Sequence, residues 1–350
     1  MSMSAQDRVV IKNIYYMMAY AFRALEVKEF AKLNSEEFDN FADLMAAILA
    51  IGIGLQRKRG FERDYLEVQD DLHTVRGRID LRRTAALKLG SPDTLSCHFD
   101  EFSEDTYKNR ILKTTAQLLV DDSDVPPARR RDLKRCLIAM RDIGTLEPAR
   151  IEWGRLRFHR NNGPYQLLMN VCYMVINSKL MSQEAGTLKV ANFIDDQKLH
   201  SLYEKFVLEY FRREHPELKA SAKDIDRKVS DDAPSFLPHL ITDITLEHGD
   251  RMLIIDTKCY GRILSTHHDH EILSPANLNQ IMSYVLHAAY QRDADIQGML
   301  LYALTDREAA IDKSWYEIGY RFHVRTLDLG QDFAIIAKQL DDVAAIVLEA

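Results

Sequence analysis

Cysteine is scarce in this 350-residue chain: Cys97, Cys136, Cys172 and Cys259 stand far apart and form no C-x-x-C pair. The spacing gives no zinc ribbon, redox dithiol or disulfide framework, and reads as reduced structural thiols. Long apolar runs are missing too. The most apolar stretch, Phe41 to Leu55, is about 15 residues and carries Asp43, too short and too polar for a bilayer core of roughly 30 Å. It reads as a buried helix. The opening MSMSAQDRVV lacks the basic start, apolar stretch and cleavage site of a secretory signal, so a cytoplasmic protein without membrane association is expected. No G-x-x-x-x-G-K-[ST] motif occurs, which removes a P-loop from this chain. Internal repeats and low-complexity tracts are also absent.

An excess of positive charge is lacking as well. The formal net charge is -7, and the chain holds 30 basic and 28 acidic residues up to residue 200 but 16 basic and 25 acidic beyond it. Proteins that grip DNA unaided show a basic face, because phosphate neutralisation supplies most non-specific affinity. If the second half acts on DNA, another component holds it. What is present is the composition of a globular protein, 46% hydrophobic and 28% charged.

The length predicts two domains. Turn-forming residues gather at His159-Arg-Asn-Asn-Gly-Pro164, which puts the boundary there and gives domains 1–165 and 166–350. The first is expected to hold helices at Ile14 to Leu25 and Phe41 to Leu55, strand-like pieces at Asp64 to Val68 and Thr74 to Leu81, and an arginine-rich helix from Pro127 to Ile143. The second holds helices at Tyr165 to Lys179 and His200 to His215, a strand pair, a helix and a final strand-and-helix series. This order predicts an α+β fold.

The strand pair carries the chemistry. Ile241-Thr-Asp-Ile-Thr-Leu-Glu-His-Gly-Asp-Arg-Met-Leu-Ile-Ile-Asp-Thr-Lys258 reads as a β-hairpin, two β-prone runs around Gly249-Asp250. A two-residue turn there pairs Ile244 with Ile255 and sets Asp243 opposite Asp256. Alternation puts Lys258 on the same face as Asp256, with Ile244, Leu246, Leu253 and Ile255 on the other, core face. Opposed carboxylates about 5 Å apart repel unless a proton or cation lies between them. A divalent cation held by oxygen alone, from Asp243, Asp256 and the Thr257 carbonyl, is expected to be Mg²⁺ or Mn²⁺. The competing reading of D-x-K spacing is a surface ladder in which Lys258 pairs with two aspartates. Beyond the hairpin, Ser274 as N-cap and Pro275 at the first helical position open a helix. Gln280 and Tyr284 share one face of it, four residues apart.

The order of helix, D…D-T-K hairpin and N-x-x-Q-x-x-x-Y helix resembles the PD-(D/E)XK nucleases, especially the branch with a Q-x-x-x-Y motif. Further segments narrow the likeness: I-K-N-I-Y-Y-M-M-A-Y-A (11 to 21), V-R-G-R-I-D (75 to 80), E-D-T-Y-K-N-R-I-L-K (104 to 113), L-Y-E-K-F (202 to 206), T-D-I-T (242 to 245), I-I-D-T-K (254 to 258) and N-L-N-Q-I-M-S-Y (277 to 284). Together they resemble the McrC family, the endonuclease subunits of McrBC modification-dependent restriction systems.

The resemblance implies an N-terminal mixed α/β docking domain followed by a PD-(D/E)XK nuclease domain, a central mixed sheet flanked by helices. It puts Asp243, Asp256 and Lys258 at catalytic positions, Gln280 and Tyr284 in the accessory motif, and Glu204 at the acidic position of the preceding helix, with Glu209 as a rival. Thr242 stands where the family name has proline, Asp256 where glutamate is commoner, and Cys259 where an aromatic is usual, leaving Tyr260 to pack there; no metal ligand is lost. The implied activity is Mg²⁺-dependent endonucleolytic cleavage of double-stranded DNA containing modified cytosine. The implied partner is an McrB-like AAA+ GTPase ring that binds the GTP and is engaged and stimulated through residues 1–165. A non-catalytic adaptor that activates the GTPase and keeps the nuclease fold as scaffold is the alternative.

Other clusters compete for attention. Thr266-His-His-Asp-His270 invites a zinc reading, but no further Cys or His stands at ligand spacing. Arg129-Arg-Arg131 with Lys134 and Arg135 reads first as a solvated helix face. Arg76, Arg78 and Lys108 are candidates for partner or DNA contact, with tertiary salt bridges as the other reading. Tyr15, Tyr16, Met17 and Met18 read as core before docking surface.

Overall fold

The computed structural model describes the chain except for residues 1–4, 24, 26–27, 37, 92, 159–162, 183–195, 231, 233, 235, 260–263, 268–269, 305–309 and 350. In chain order the first elements are α1 (Ala5–Ala21), α2 (Lys28–Ala31), α3 (Phe41–Arg59), β1 (Asp64–Leu72), β2 (Arg78–Ile79), α4 (Leu81–Leu87), β3 (Leu95–Ser103), α5 (Tyr107–Val120), α6 (Pro127–Ala139) and α7 (Gly163–Ser182). There follow α8 (Asp196–Glu214), β4 (Asp224–Ile225), β5 (Leu240–Ile241), β6 (Ile244–His248), β7 (Arg251–Lys258), β8 (Leu264–His267), β9 (His270–Leu273), α9 (Pro275–Gln291), β10 (Asp295–Leu304), β11 (Asp312–Glu317), β12 (Tyr320–Asp328) and α10 (Phe333–Leu348). Helices and a mixed sheet agree with the α+β expectation. Among the described residues no helix is long and apolar enough to cross a membrane.

Two compact units emerge, Met1–Leu44 with Thr187–Ala350, and Met45–Gly186. This division differs from a cut at residue 165, for a physical reason. The first helix is committed to the second half of the chain: Tyr20 packs edge-on against Phe206 of α8, and Asn13 donates from Nδ2 to the Leu329 carbonyl at 2.8 Å.

In the unit Met45–Gly186, β1 and β2 both pair antiparallel with β3. The stretch expected as a strand from Thr74 to Leu81 is strand only at Arg78–Ile79, because Asp80 caps α4 by accepting from the Arg83 N–H at 3.0 Å. Gly77 has φ 67°, and a Cβ there would lie 2.3 Å from the His98 carbonyl oxygen. Gly77→Ala is therefore expected to destabilise this unit by about 2 kcal/mol or more, read as a lower denaturant midpoint; an unchanged midpoint would contradict the register of β2 on β3. The 104–113 motif is structural here. Thr106 caps α5, and buried Asn109 donates to the Glu62 and Glu104 carbonyls while accepting from Tyr165 Oη at 2.8 Å. Lys108 is held by Glu62 at 2.7 Å, Arg76 lies over the Phe99 ring, and Arg78 reaches Glu67 only at 4.0 Å. On α6 Arg135 pairs with Asp132 on an exposed face.

In the other unit a five-stranded sheet has the order β11-β12-β10-β7-β6. Strands β7, β10 and β12 run parallel, with antiparallel edges β6 and β11. Helix α9 covers one face: Ile281, Tyr284, Val285 and Ala288 pack on Met252, Ile254, Leu300, Tyr302 and Phe322. Helix α10, on β6, β7 and β12, buries Ile336, Leu340 and Val343. Tyr15, Met17 and Met18 are core, and Tyr16 stacks on Phe333 at 4.1 Å.

Candidate active site

The hairpin has the register its sequence predicts. Gly249 takes φ 62° in the turn, His248 pairs with Arg251, and Ile244 pairs with Ile255, so Asp243 precedes β6 at the level of Asp256. Only the division of faces differs. Met252 and Ile254, on the side of Asp256 and Lys258, are buried as fully as Leu253 and Ile255. The cause is the parallel neighbour: β7 lies between β6 and β10 and is covered on both sides, as parallel strands are. Past Arg251 at its start, polar side chains appear only at its carboxyl end, where ligands gather in sheets of this kind.

Three groups meet at that end. Asp243 Oδ2 accepts from the Thr257 N–H at 2.7 Å and from Thr257 Oγ1 at 2.9 Å, which fixes the carboxylate across the hairpin. Asp256 is fully buried, and neither of its carboxylate oxygens has a hydrogen bond of ordinary geometry. Its Oδ2 instead has the Lys258 ammonium at 2.5 Å as an ion contact. Lys258, itself buried, donates to Gln280 Oε1 at 3.2 Å, and Gln280 donates from Nε2 to Tyr284 Oη at 2.9 Å. The accessory pair on α9 thus orients the lysine. The start of α9 is tied to the strand next door by Asn277 Nδ2 donating to Tyr302 Oη at 3.0 Å, and Tyr302 is the β10 partner of Lys258. Ser274 occupies the N-cap position of α9 without a side-chain cap bond, so the expected cap is positional only.

The helix before the hairpin contributes Glu204. Burial, and then the charges of Asp243 and Asp256, push its carboxyl up to about 7. Burial raises Asp256 to about 6; Lys258 opposes that shift and Asp243 adds to it. Glu209 is spent elsewhere, accepting from Arg23 at 2.9 Å and Arg212 at 2.7 Å. Glu204 therefore faces the site and Glu209 does not. With the nuclease activity that the resemblance implies, Glu204→Gln is expected to slow cleavage roughly 10- to 100-fold through the lost support of the site, whereas Glu209→Gln changes thermal stability and leaves cleavage within about threefold. Equal effects of the two on cleavage would sink this assignment. His200 was not singled out in the sequence. It feels Asp243 and Lys258, and burial lowers its pKa; its place four residues before Glu204, on one helix face, was the available signal.

These residues suit an oxygen-ligated cation. Among the described residues no three His, Cys, Asp or Glu side chains gather closely enough to hold a metal as a group. A cation here would take two carboxylates, the Thr257 carbonyl and water, which is how Mg²⁺ is commonly held. Asp256 Oδ1, buried and without a hydrogen-bond partner while Lys258 takes Oδ2, is the direct sign that further positive charge fits beside this carboxylate. The Thr266–His270 cluster weighed for zinc, and Tyr260, lie outside the described residues and side chains.

Known proteins are similar to nearly the whole chain. The type IV methyl-directed restriction enzyme EcoKMcrBC of Escherichia coli (strain K12) is 28% identical over 344 residues, covering 97% of this chain and 98% of the relative. A solved half-complex from a tetradecameric assembly of Thermococcus gammatolerans McrB AAA+ hexamers with bound McrC matches at 16% identity and TM-score 0.49, covering 95% of this chain and 76% of that one. The Thermococcus gammatolerans McrBC complex matches at 17% identity and TM-score 0.37, over 54% of this chain and 63% of that one. Both TM-scores lie below 0.5, so neither likeness establishes a shared fold. The family model for the McrBC 5-methylcytosine restriction system component matches residues 3–303, and the chain belongs to that family.

Proposed function

We propose that this protein is the Mg²⁺- or Mn²⁺-dependent DNA endonuclease subunit of a modification-dependent restriction system, with a PD-(D/E)XK arrangement built on β6, β7, α8 and α9. The observation that carries the reading is the buried Asp256–Lys258 pair set against Asp243 at the carboxyl end of the central strand. A surface ladder of charges would not be buried, and burying a carboxylate without full satisfaction is costly unless function requires it.

The residues divide the work. Asp243, Asp256 and the Thr257 carbonyl hold the cation. Once bound, it supplies positive charge toward the phosphoryl oxygens and lowers the pKa of water. Lys258, fixed by Gln280 and indirectly by Tyr284, places its ammonium where charge develops on the phosphate or where it can orient the attacking water. Glu204, raised to about 7 while the site holds no cation, would give up its proton as the cation binds and add a third carboxylate beside it.

Substrate and partner follow from relatives. The family model is described by 5-methylcytosine and the E. coli relative as methyl-directed, which supports double-stranded DNA carrying modified cytosine. An McrB-like AAA+ GTPase ring is proposed to supply GTP binding, DNA handling and translocation, consistent with the missing P-loop and the acidic second half. Docking falls to the N-terminal region, residues 1–165. Residues 45–165, which belong to the unit Met45–Gly186, are favoured, since the sheet there exposes Tyr65 and Phe102 side by side, ring centroids 5.0 Å apart. The test is to combine the full chain with its cognate GTPase, Mg²⁺ and GTP, on methylated and unmethylated plasmid. GTP-dependent cleavage of methylated DNA together with a raised GTPase rate is expected; a raised GTPase rate without cleavage would favour the adaptor.

A further inference from the structure

We propose that the outward face of α6, with Arg57 at the end of α3, is a sequence-independent binding surface for the phosphate backbone of duplex DNA. The choice of DNA as the polyanion rests on the endonuclease reading; the surface itself does not. It belongs to the unit Met45–Gly186, which holds none of the catalytic carboxylates, and it takes no part in the reaction.

Apolar residues set which side of α6 looks outward. Leu133 and Met140 are fully buried, and Cys136 Sγ donates to the Ala50 carbonyl of α3 at 3.6 Å. On the opposite side Arg131, Lys134, Arg135 and Ile138 are exposed at the spacing of one helix face. The helix holds five cations, Arg129, Arg130, Arg131, Lys134 and Arg135, against one acid, Asp132, an excess of four. Asp132 is taken by Arg135 at 3.2 Å, and Arg129 is engaged as well. Among the described residues, the side chains of Arg130, Arg131, Lys134 and Arg57 form no ion pair or hydrogen bond. Burial raises the pKa of the Cys136 thiol and Arg57 opposes that rise, so the charge at the end of α3 reaches α6.

A face that only has to be wet does not need this pattern. Arg130 and Lys134 stand four apart, as do Arg131 and Arg135, and like charges at that spacing repel along a helix. No acid stands in the first turn, where the helix dipole favours one. The arrangement costs helix stability, and a polyanion laid across the face turns the repulsion into attraction.

Charge density selects the kind of polyanion. Arg130 to Arg135 span about 7.5 Å of helix axis, a length over which B-DNA presents about four phosphates. An acidic protein face of that density would repel itself as α6 does. The wider sequence agrees: residues up to 200 hold 30 basic and 28 acidic side chains, and the acidic excess lies beyond them.

The test uses the full chain in EDTA, so that no cleavage occurs, and follows the anisotropy of a labelled duplex of about 30 base pairs across a salt series. Wild type is compared with Lys134→Gln, with Arg131→Gln/Lys134→Gln and with Arg141→Gln/Arg150→Gln. The last removes equal charge from two exposed arginines of the same unit that already face acids, Asp142 and Glu147. Thermal midpoints and stimulation of the cognate GTPase are measured for each protein. The expected salt slope is shallower by about one in the single α6 variant and about two in the double. At about 0.1 M salt the double variant binds at least roughly tenfold more weakly, and the control pair stays within about threefold of wild type. The midpoint of the double variant equals or exceeds that of wild type, because repulsion is relieved. Equal losses in the α6 and control pairs, or none in either, would overturn the surface. Unchanged DNA binding with weaker GTPase stimulation would overturn DNA as its ligand in favour of an acidic face of the partner. Wild type that binds no duplex, yet cleaves methylated plasmid with its GTPase, would overturn the proposal and leave the endonuclease reading standing. The expected losses in a protein that cleaves nothing with its partner would support the surface and overturn the endonuclease reading.

Discussion

Lys258→Met is expected to lower GTP-dependent DNA cleavage by roughly 10²–10³-fold while the protein still binds its GTPase partner. The magnitude is that of removing one preorganised charge-stabilising group from a dry site. Two features of the site set it. The ammonium is buried, 2.5 Å from Asp256 Oδ2, and its position is fixed by Gln280, so water cannot replace it without reorganisation. Methionine roughly conserves the volume of the side chain and removes the charge together with its contacts to Asp256 and Gln280. A variant with cleavage within about threefold of wild type would show that Lys258 serves Asp256 alone, and the chemistry would have to be sought elsewhere.

The metal-free protein is expected to lose stability as pH rises from about 4 to about 7, and Mg²⁺ is expected to restore more of it at pH 8 than at pH 5.5. Glu204 rises from 4.5 to about 7 on folding and Asp256 from 3.8 to about 6, in both cases first through burial. Across that window the folded chain holds more protons than the unfolded one, so stability falls with rising pH, is full below the unfolded values and is lost above the folded ones. A cation takes the place of those protons, which makes its binding release protons and tighten with pH. The thermal midpoint should shift by a few degrees over the window. Asp256→Asn should flatten the pH dependence and shrink the Mg²⁺ effect. A midpoint that rises from pH 5 to pH 7 in EDTA would contradict the crowding of carboxylates on which the site rests.

Much of this site was legible in the sequence because a hairpin converts residue numbers into geometry. Once Gly249-Asp250 is the turn, the positions of Asp243, Asp256 and Lys258 follow from alternation, and the register confirms them. The choice between Glu204 and Glu209 was not legible. Both lie on one helix, and only the tertiary partners Arg23 and Arg212, which claim Glu209, separate them. The burial of Met252 and Ile254 was visible as an unbroken apolar run in β7, but an edge strand and a central strand differ in their neighbours, and β10 lies some 40 residues on.

Larger organisation was harder to read for the same reason. Nothing in the spacing of α1 says that Tyr20 will pack on Phe206, nearly 190 residues away. Strand β3 escaped notice because its burial does not alternate: the run Asp100 to Phe102 is exposed on both faces. Lys108 was a candidate for partner or DNA contact, and it is held by Glu62 within the same unit.

The most direct test of the central claim is Asp256→Ala in the complete system, with GTP hydrolysis and cleavage of methylated plasmid measured in the same reaction. Asp256 belongs to the unit Met1–Leu44 with Thr187–Ala350 and the exposed aromatic face assigned to docking to the unit Met45–Gly186, so the two activities should separate: stimulation of the GTPase stays within about twofold, and cleavage falls below detection. Cleavage at the wild-type rate would contradict the account, because the buried carboxylate on which the site is built would then have no part in the reaction.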